Sequence, residues 1–333
     1  KTIHDLFHST SWRITSPLRF LVRIIRGQHH EALDGLRRRI LPWLKNIYWR
    51  LPVRWRNKAL DMAYRIAGPL FAGTGHYELW RAGEIDSMHQ LPMDSAGFLA
   101  GMLDLSTIAP LTTPPGSIAI HAHIFYADLA TEFAKYLSNM PFPYDLFVST
   151  PNEAASQMCE QAFSHLPQLG QLTITTVPNR GRDIAPLFCT FGEALQRYDY
   201  IAHIHSKKSL YNNGATSGWR EYLLTHLLGS KSQIQKIFTL LTGEKTVGFV
   251  YPQNFTALPY VANSWLSNKA CGHFWCNRLG ITKIPAGYFD FPAGSMFWAR
   301  TKALQPLLSA HIQVKDFPEE AGQKDATLAH CIE

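Results

Sequence analysis

The stretch IAIHAHIFYADLATEFAKYLSNM, Ile118–Met140, decides the fold. Ile118 to Tyr126 is a run of the kind that forms a buried strand, and the Pro/Thr-rich LTTPPGS of Leu111–Ser117 breaks the chain ahead of it. YADLATEFAKYLSNM reads as the helix that follows. The same pairing recurs downstream. YDLFVSTP (Tyr144–Pro151) reads as a strand and EAASQMCEQAFSHL as a helix; LTITTVPN (Leu172–Asn179) reads as a strand and IAPLFCTFGEALQRY as a helix. YDYIAHIHS (Tyr198–Ser206) predicts a fourth strand, WREYLLTHLLGS another helix, TVGFVYPQ (Thr246–Gln253) a fifth strand and FPAGSMFWAR (Phe291–Arg300) a sixth. Regular alternation of this kind predicts an α/β domain with a mostly parallel sheet over residues 117–333.

The chain ahead of it has a different character. Lys1–Arg81 carries 15 Lys and Arg against 5 Asp and Glu, so the whole net charge of +7 and more belongs to this segment. Ser16 and Pro17 are start signals for a helix LRFLVRIIRG that stops at Gly27, with Arg19, Arg23 and Arg26 on one face. LRRRILPWLKNIYWRLPVRWRNKAL is a second basic helical stretch, with Trp43, Trp49 and Trp55 interleaved. Residues 1–90 are therefore expected to be a basic helical segment, joined through residues 91–116. It suits either an anionic membrane interface or a hairpin facing water. Nucleic acid is not expected as a partner, because no recognised binding module accompanies the charge.

Composition sets further bounds. With 333 residues, 46% hydrophobic and 17% charged, the chain is globular rather than disordered. Five cysteines without regular spacing read as reduced cytosolic thiols; Cys271 and Cys276 flank His273, but no second pair completes a zinc set. No secretory signal is present, and no apolar run reaches the ~18 residues needed to span a bilayer. The sequence opens on Lys1 and stops at Glu333 after a helix-like run, which reads as a piece of a longer polypeptide.

Open α/β sheets bind ligands at the carboxyl ends of their strands. Four successive strands there deliver polar groups: His121, His123, Tyr126 and Asp128; Ser149, Thr150 and Asn152; Asn179, Arg180, Gly181, Arg182 and Asp183; His203, His205, Lys207 and Lys208. Arg180, Arg182, Lys207 and Lys208 suit a phosphate or diphosphate, Gly181 would let the backbone approach it, and a helix starting near Asp183 would add N–H donors. The alternative for Arg182 and Asp183 is a structural ion pair. His203 and His205 read as rim residues or phosphate donors rather than metal ligands, since both lysines would repel a cation. Downstream, Asp290 precedes a Gly-Ser turn that includes Ser295, and Glu320 and Asp325 suit a general base. The alternative for Asp325 is a helix N-cap.

IAIHAHIFYADLATEF, YDLFVSTP, VPNRGRDIAPL, YDYIAHIHSKKS, WREYLLTHLLGS, FPAGSMFWAR and EEAGQKDATLAH together resemble the rhamnan synthesis protein F family of bacterial polysaccharide glycosyltransferases. The resemblance runs in unbroken order from about Ser117 to Glu333. STSWRITSPLR (Ser9–Arg19) is similar to a linker beside transferase domains in multidomain synthases. Ala326 departs from the glycine expected in the family's Asp-Gly-Thr. The resemblance implies a nucleotide-sugar donor, dTDP-rhamnose or a related deoxysugar nucleotide, with no cofactor. It further implies a lipid-linked glycan acceptor, a GT-A-like nucleotide-sugar domain, other domains in the same polypeptide, and a cytoplasmic place on the inner face of the plasma membrane. A GT-A Asp-x-Asp would follow the fourth strand, where this chain has HIHSKKS. Metal is therefore not expected, with Lys207, Lys208 and the arginines as counter-charge. On this reading Asp325, then Glu320, takes the acceptor proton; the His and Arg residues and Asn179 meet the donor; Asp290, Ser295 and Trp298 meet the acceptor, with core packing the alternative for Trp298. A non-catalytic binding module, a phosphotransferase and a membrane-docking scaffold are the rival readings.

Overall fold

A computed structural model describes residues 43–44, 46–48, 50–71, 77, 80, 103–206, 218–255, 258, 262–285, 289–321 and 325–333. The expected helix over Leu18–Gly27, Trp49, and the lysines Lys207 and Lys208 lie outside these residues. The chain divides into two compact units, Lys1–Arg81 and Ala82–Glu333.

In the first unit, helix α1 spans Val53–Phe71. The single basic stretch expected across this region is interrupted at Leu51–Pro52, because proline disfavours helical backbone in the residue before it. Tyr64 packs edge-on against Phe71, Tyr77 and Trp80, while the Trp80 indole N–H donates to Asp61 at 2.9 Å. Trp43, Trp55, Met62 and Ile66 are exposed.

The second unit is α/β, with a six-stranded sheet in the order β3-β2-β1-β4-β6-β5. Its strands are β1 (Ile118–His123), β2 (Tyr144–Thr150), β3 (Leu169–Thr176), β4 (Tyr200–His205), β5 (Phe249–Val250) and β6 (Phe297–Arg300). The first four are parallel, as alternation predicts. The sixth expected strand keeps only its last four residues and runs antiparallel to both neighbours. FPAGS cannot join the ladder: Pro292 has no N–H, and Gly294 (φ +90°) and Ser295 (φ +52°) turn the chain left-handed.

Helices α2 (Ala130–Leu137), α3 (Glu153–Phe163), α5 (Trp219–Leu228) and α6 (Lys231–Gly243) pack on one face. There Ile118, Ile120, Ala122, Leu146, Val148, Ala202 and Ile204 meet Phe133, Phe163, Leu227 and Phe238. Asn152 and Ser230 cap α3 and α6 through backbone N–H groups three residues on. The helix expected after the third strand is broken instead. After one helical step at Ile184 and Ala185, Pro186–Thr190 forms a π-turn, and Gly192–Leu195, α4, resumes as α-helix. Such π-turns are frequent at functional sites. This segment covers the other face with α7 (Lys269–Arg278), α8 (Thr301–Leu308) and α9 (Leu328–Ile332), over Ala119, Phe147, Ile201, Phe297 and Ala299.

Strands β1 and β4 are clamped at both ends. Asp199 accepts from the Ser117 amide and hydroxyl at 2.9 and 2.8 Å, fixing where the strands start. At the far ends the Ser206 amide donates to the His123 carbonyl and the Ser206 hydroxyl accepts from the Tyr126 amide, both at 2.9 Å. The chain turns from one side of β1 to the other between these strands, so their carboxyl ends form the switch point where α/β sheets bind ligands.

Candidate functional site

The clamps put His121 opposite His203 and His123 opposite His205. Alternation along a strand then sends all four imidazoles to one face. Each is buried, His121 and His203 completely. Buried polar groups need partners, and these have them in one continuous run. His123 Nδ1 lies 2.8 Å from Ser149 Oγ, which lies 3.0 Å from His121 Nε2. His121 Nδ1 lies 3.0 Å from His203 Nδ1, and His203 Nε2 lies 3.1 Å from Asp183 Oδ2. The Ser295 hydroxyl donates to the same carboxylate oxygen at 2.7 Å, and His205 Nε2 donates to the Gly294 carbonyl at 2.7 Å.

Electrostatics follow from burial. Desolvation, helped by the neighbouring imidazoles, holds His121 well below its ordinary pKa and brings His123 down to about 4. Burial alone would raise Asp183; His205, His203 and the hydrogen bonds from His203 and Ser295 outweigh it and hold the carboxyl well below the usual range. Asp183 is thus an ionised carboxylate inside the protein, placed by two left-handed turns, Gly181–Arg182 (φ +71° and +56°) and Gly294–Ser295.

The NRGRD loop is used differently from the expectation. Arg180 donates through Nε to the Phe317 carbonyl at 2.6 Å and through Nη2 to that of Lys315 at 3.1 Å, so its guanidinium ties down the 315–317 segment. A Cβ on Gly181 would meet Ala185 Cβ at 2.5 Å and the Phe317 ring at 2.6 Å; the glycine admits Phe317, not a ligand. Arg182 keeps a partly exposed side chain with Nε 3.6 Å from Glu320. Asn179 is exposed beside it. In place of the ion pair weighed for Arg182 and Asp183, Arg182 pairs with Glu320 on the rim and Asp183 accepts a hydrogen bond from His203 inside.

The downstream residues separate into three settings. Asp325 does not cap the last helix: Thr327 does, accepting from the His330 amide. Asp325 instead accepts from the Ser267 amide at 3.1 Å and from Asn268 Nδ2 at 2.6 Å, while Asn268 Oδ1 accepts from the Ala326 amide. Ala326 has φ +64°, which explains why glycine suits that position. Asp290 and Ser295 line one pocket of about 350 Å³ with Tyr251 and the rings of Phe188, Phe249 and Phe291. Tyr251 donates to Asp290 at 3.2 Å, yet partial burial holds the Asp290 carboxyl above its ordinary value. Trp298 is corrected outright: it lies on the opposite face of the sheet, fully buried, its indole N–H donating to the Leu227 carbonyl at 3.1 Å. Full burial likewise withdraws His121 and His203 from contact with a donor nucleotide.

Tyr251, Asn268 and Glu333, whose carboxylate accepts from the Gly294 amide at 2.6 Å, escaped the sequence reading. Only Tyr251 carried a signal, its place near the end of the fifth expected strand. Among the described residues no His, Cys, Asp and Glu group is arranged to hold a metal, and no helix is long and apolar enough to cross a membrane. All five cysteines are free.

A profile of the rhamnan synthesis protein F family matches residues 88–333. Two proteins of Xanthomonas campestris pv. campestris, from different strains and both described as uncharacterized protein WxcX, are each 29% identical to it over 225 residues. The alignment covers 67% of this chain and 31% of each relative, so the chain spans less than a third of the relatives' length.

Proposed function

The chain belongs to the rhamnan synthesis protein F family, and from that premise we propose that it is a glycosyltransferase domain. It moves a deoxyhexose, rhamnose first, from a nucleotide donor to a growing cell-surface polysaccharide. The observation that carries this reading is the convergence at the β1–β4 switch point of an ionised Asp183, four imidazoles and the Arg182–Glu320 pair.

In this reading the donor diphosphate lies at the rim beside the Arg182 guanidinium, and Lys207 and Lys208, outside the described residues, are the further counter-charges expected from the sequence. His123, His205, Tyr126 and Asn179 border the donor. Negative charge grows on the leaving diphosphate as the anomeric carbon gains oxocarbenium character, and preorganised cations stabilise it. The acceptor glycan seats one ring in the pocket of Asp290 and Ser295, whose aromatic walls suit the C–H face of a pyranose. A polymeric acceptor is long enough to present another ring at the rim. Asp325 and Glu320 are engaged by Asn268 and Arg182, so they shape the rim and the acceptor proton goes to another group. The basic N-terminal segment, with Trp43 and Trp55 exposed, would hold the domain against an anionic membrane on the cytoplasmic side, beside further domains of the same polypeptide.

Calorimetric titration of dTDP, UDP, GDP and dTDP-rhamnose, first with EDTA and then with magnesium, tests the donor site. Tight binding of one nucleotide in EDTA, weakened at least tenfold by Arg182→Ala, is expected. Binding that requires magnesium would overturn the cationic counter-charge, and binding of none would overturn the donor reading.

A further inference from the structure

The buried run from His123 to Asp183 has a direction. An ionised carboxylate can only accept, so His203 carries a proton on Nε2, and while its ring is neutral it offers Nδ1 as an acceptor. The only hydrogen on the His121 side of the 3.0 Å Nδ1···Nδ1 contact is then on His121 Nδ1, which leaves His121 Nε2 as an acceptor. Ser149 must donate to it, and accepts in turn from His123 Nδ1–H. Every donor points towards Asp183. The outer end of the run is the lone pair on His123 Nε2, to which no group among the described residues hydrogen-bonds.

From this geometry we infer that His123, Ser149, His121, His203 and Asp183 form a proton relay whose outer end, His123 Nε2, is the base that takes the proton from the acceptor hydroxyl. The inference rests on the transferase reading for its substrate, but not for the relay itself. The step balances as follows. The acceptor O–H bond breaks as its oxygen bonds to the anomeric carbon and the anomeric C–O bond to the diphosphate breaks. The hydroxyl proton goes to His123 Nε2; His123 passes its Nδ1 proton to Ser149, Ser149 its proton to His121 Nε2, and His121 its Nδ1 proton to His203 Nδ1. The positive charge ends on His203 against Asp183, and both His121 and His123 finish as the opposite tautomer.

Burial explains why the proton would not rest where it enters. An imidazolium at His123 is disfavoured, while one at His203 lies 3.1 Å from a carboxylate. Among the described residues, the charged or titratable groups that face the run are Asp183, inside it, and His205, whose Nε2 lies 4.0 Å from the same carboxylate oxygen and donates to Gly294. A network that merely fixed sheet register would need each polar atom satisfied. It would have no use for an acceptor left at the rim.

The test is 15N NMR of the whole chain with labelled histidine, titrated downward from pH 8. At the start His121 and His123 should carry their protons on Nδ1, and His203 and His205 on Nε2. The relay predicts one shared step in which His203 becomes imidazolium while His121 and His123 both switch to Nε2–H. In Ser149→Ala, with its fold checked by the same spectra, His123 should no longer switch with that step. A His123 that is Nε2–H at the start, or that protonates alone and independently of His121, or a Ser149→Ala protein that titrates as the parent does, would overturn the relay. A donor-turnover assay with dTDP-rhamnose separates the two proposals. Ser149→Ala should lower kcat about a hundredfold with KM unchanged. Tautomers as predicted with no turnover in the parent would leave the relay standing and sink the transferase reading; turnover that Ser149→Ala leaves unchanged would remove His123 as its base.

Discussion

The two faces of strands β1 and β4 come from the same twelve residues and are built to opposite rules. One face, Ile118, Ile120, Ala122, Tyr200, Ala202 and Ile204, is aliphatic but for one aromatic ring and packs against Phe133 and Leu227. The other begins apolar, at Ala119 and Ile201, and then turns to histidine for its last two positions on each strand. The apolar face derives its stability from area removed from water, which is insensitive to pH and tolerant of small shifts. The histidine face depends on each proton having one place to go, and so on register to within a single residue.

Four substitutions or conditions would break or sharpen this contrast. The largest effect belongs to the apolar face: Phe133→Ala leaves a cavity in the core and should cost about 4 kcal/mol in urea unfolding, by the same amount at pH 8 and pH 5. Acid should then act on the other face. The folded protein keeps His123 neutral down to about pH 4, while the unfolded chain binds that proton near pH 6.5. The unfolded state therefore holds more protons between these values, and stability falls as pH drops through the window, by about 3 kcal/mol from this group. His121 acts in the same direction. Asp183, whose carboxyl is depressed, keeps its contribution above pH 4 and loses it only below. Unfolding curves from pH 7 to 4 should show this slope in the parent and in Phe133→Ala, and a flatter one in His123→Gln. Next, Gly181→Ala should lower stability by about 2 kcal/mol in thermal melts, because the new methyl strikes the Phe317 ring and φ is +71°. Thr327→Ala, which removes the cap of α9 and a hydrogen bond to the His330 ring, should cost about 1 kcal/mol.

The sheet's four parallel strands were legible because each is an apolar run followed by a helix, a pattern that local sequence carries. The break of the third helix was not legible: Pro186 and the π-turn are tolerated because Ile184, Leu187 and Phe188 are buried together against the sheet. In the site, the histidines and Ser149 do stand at the strand ends where the sequence puts them, but their partners were not legible. Arg180 read as an anion ligand because a guanidinium beside a glycine suits phosphate; it meets carbonyls contributed by a segment 135 to 137 residues away. Asp325 read as a base or a cap because nothing nearby shows Asn268, 57 residues earlier in the chain. Trp298 read as a platform because strand alternation does not say which face is covered.

The sequence by itself determined the α/β alternation, the family resemblance, and the presence of histidines at the ends of two strands, since each is a matter of residue type at fixed local spacing. Only the tertiary structure decided that those strands are neighbours and in register, that Ser149 and Asp183 complete a directed run between them, and that Arg180 and Asp325 serve carbonyls and amides. Those outcomes depend on which distant groups meet, and a hydrogen bond of 3 Å has no counterpart in one-dimensional spacing.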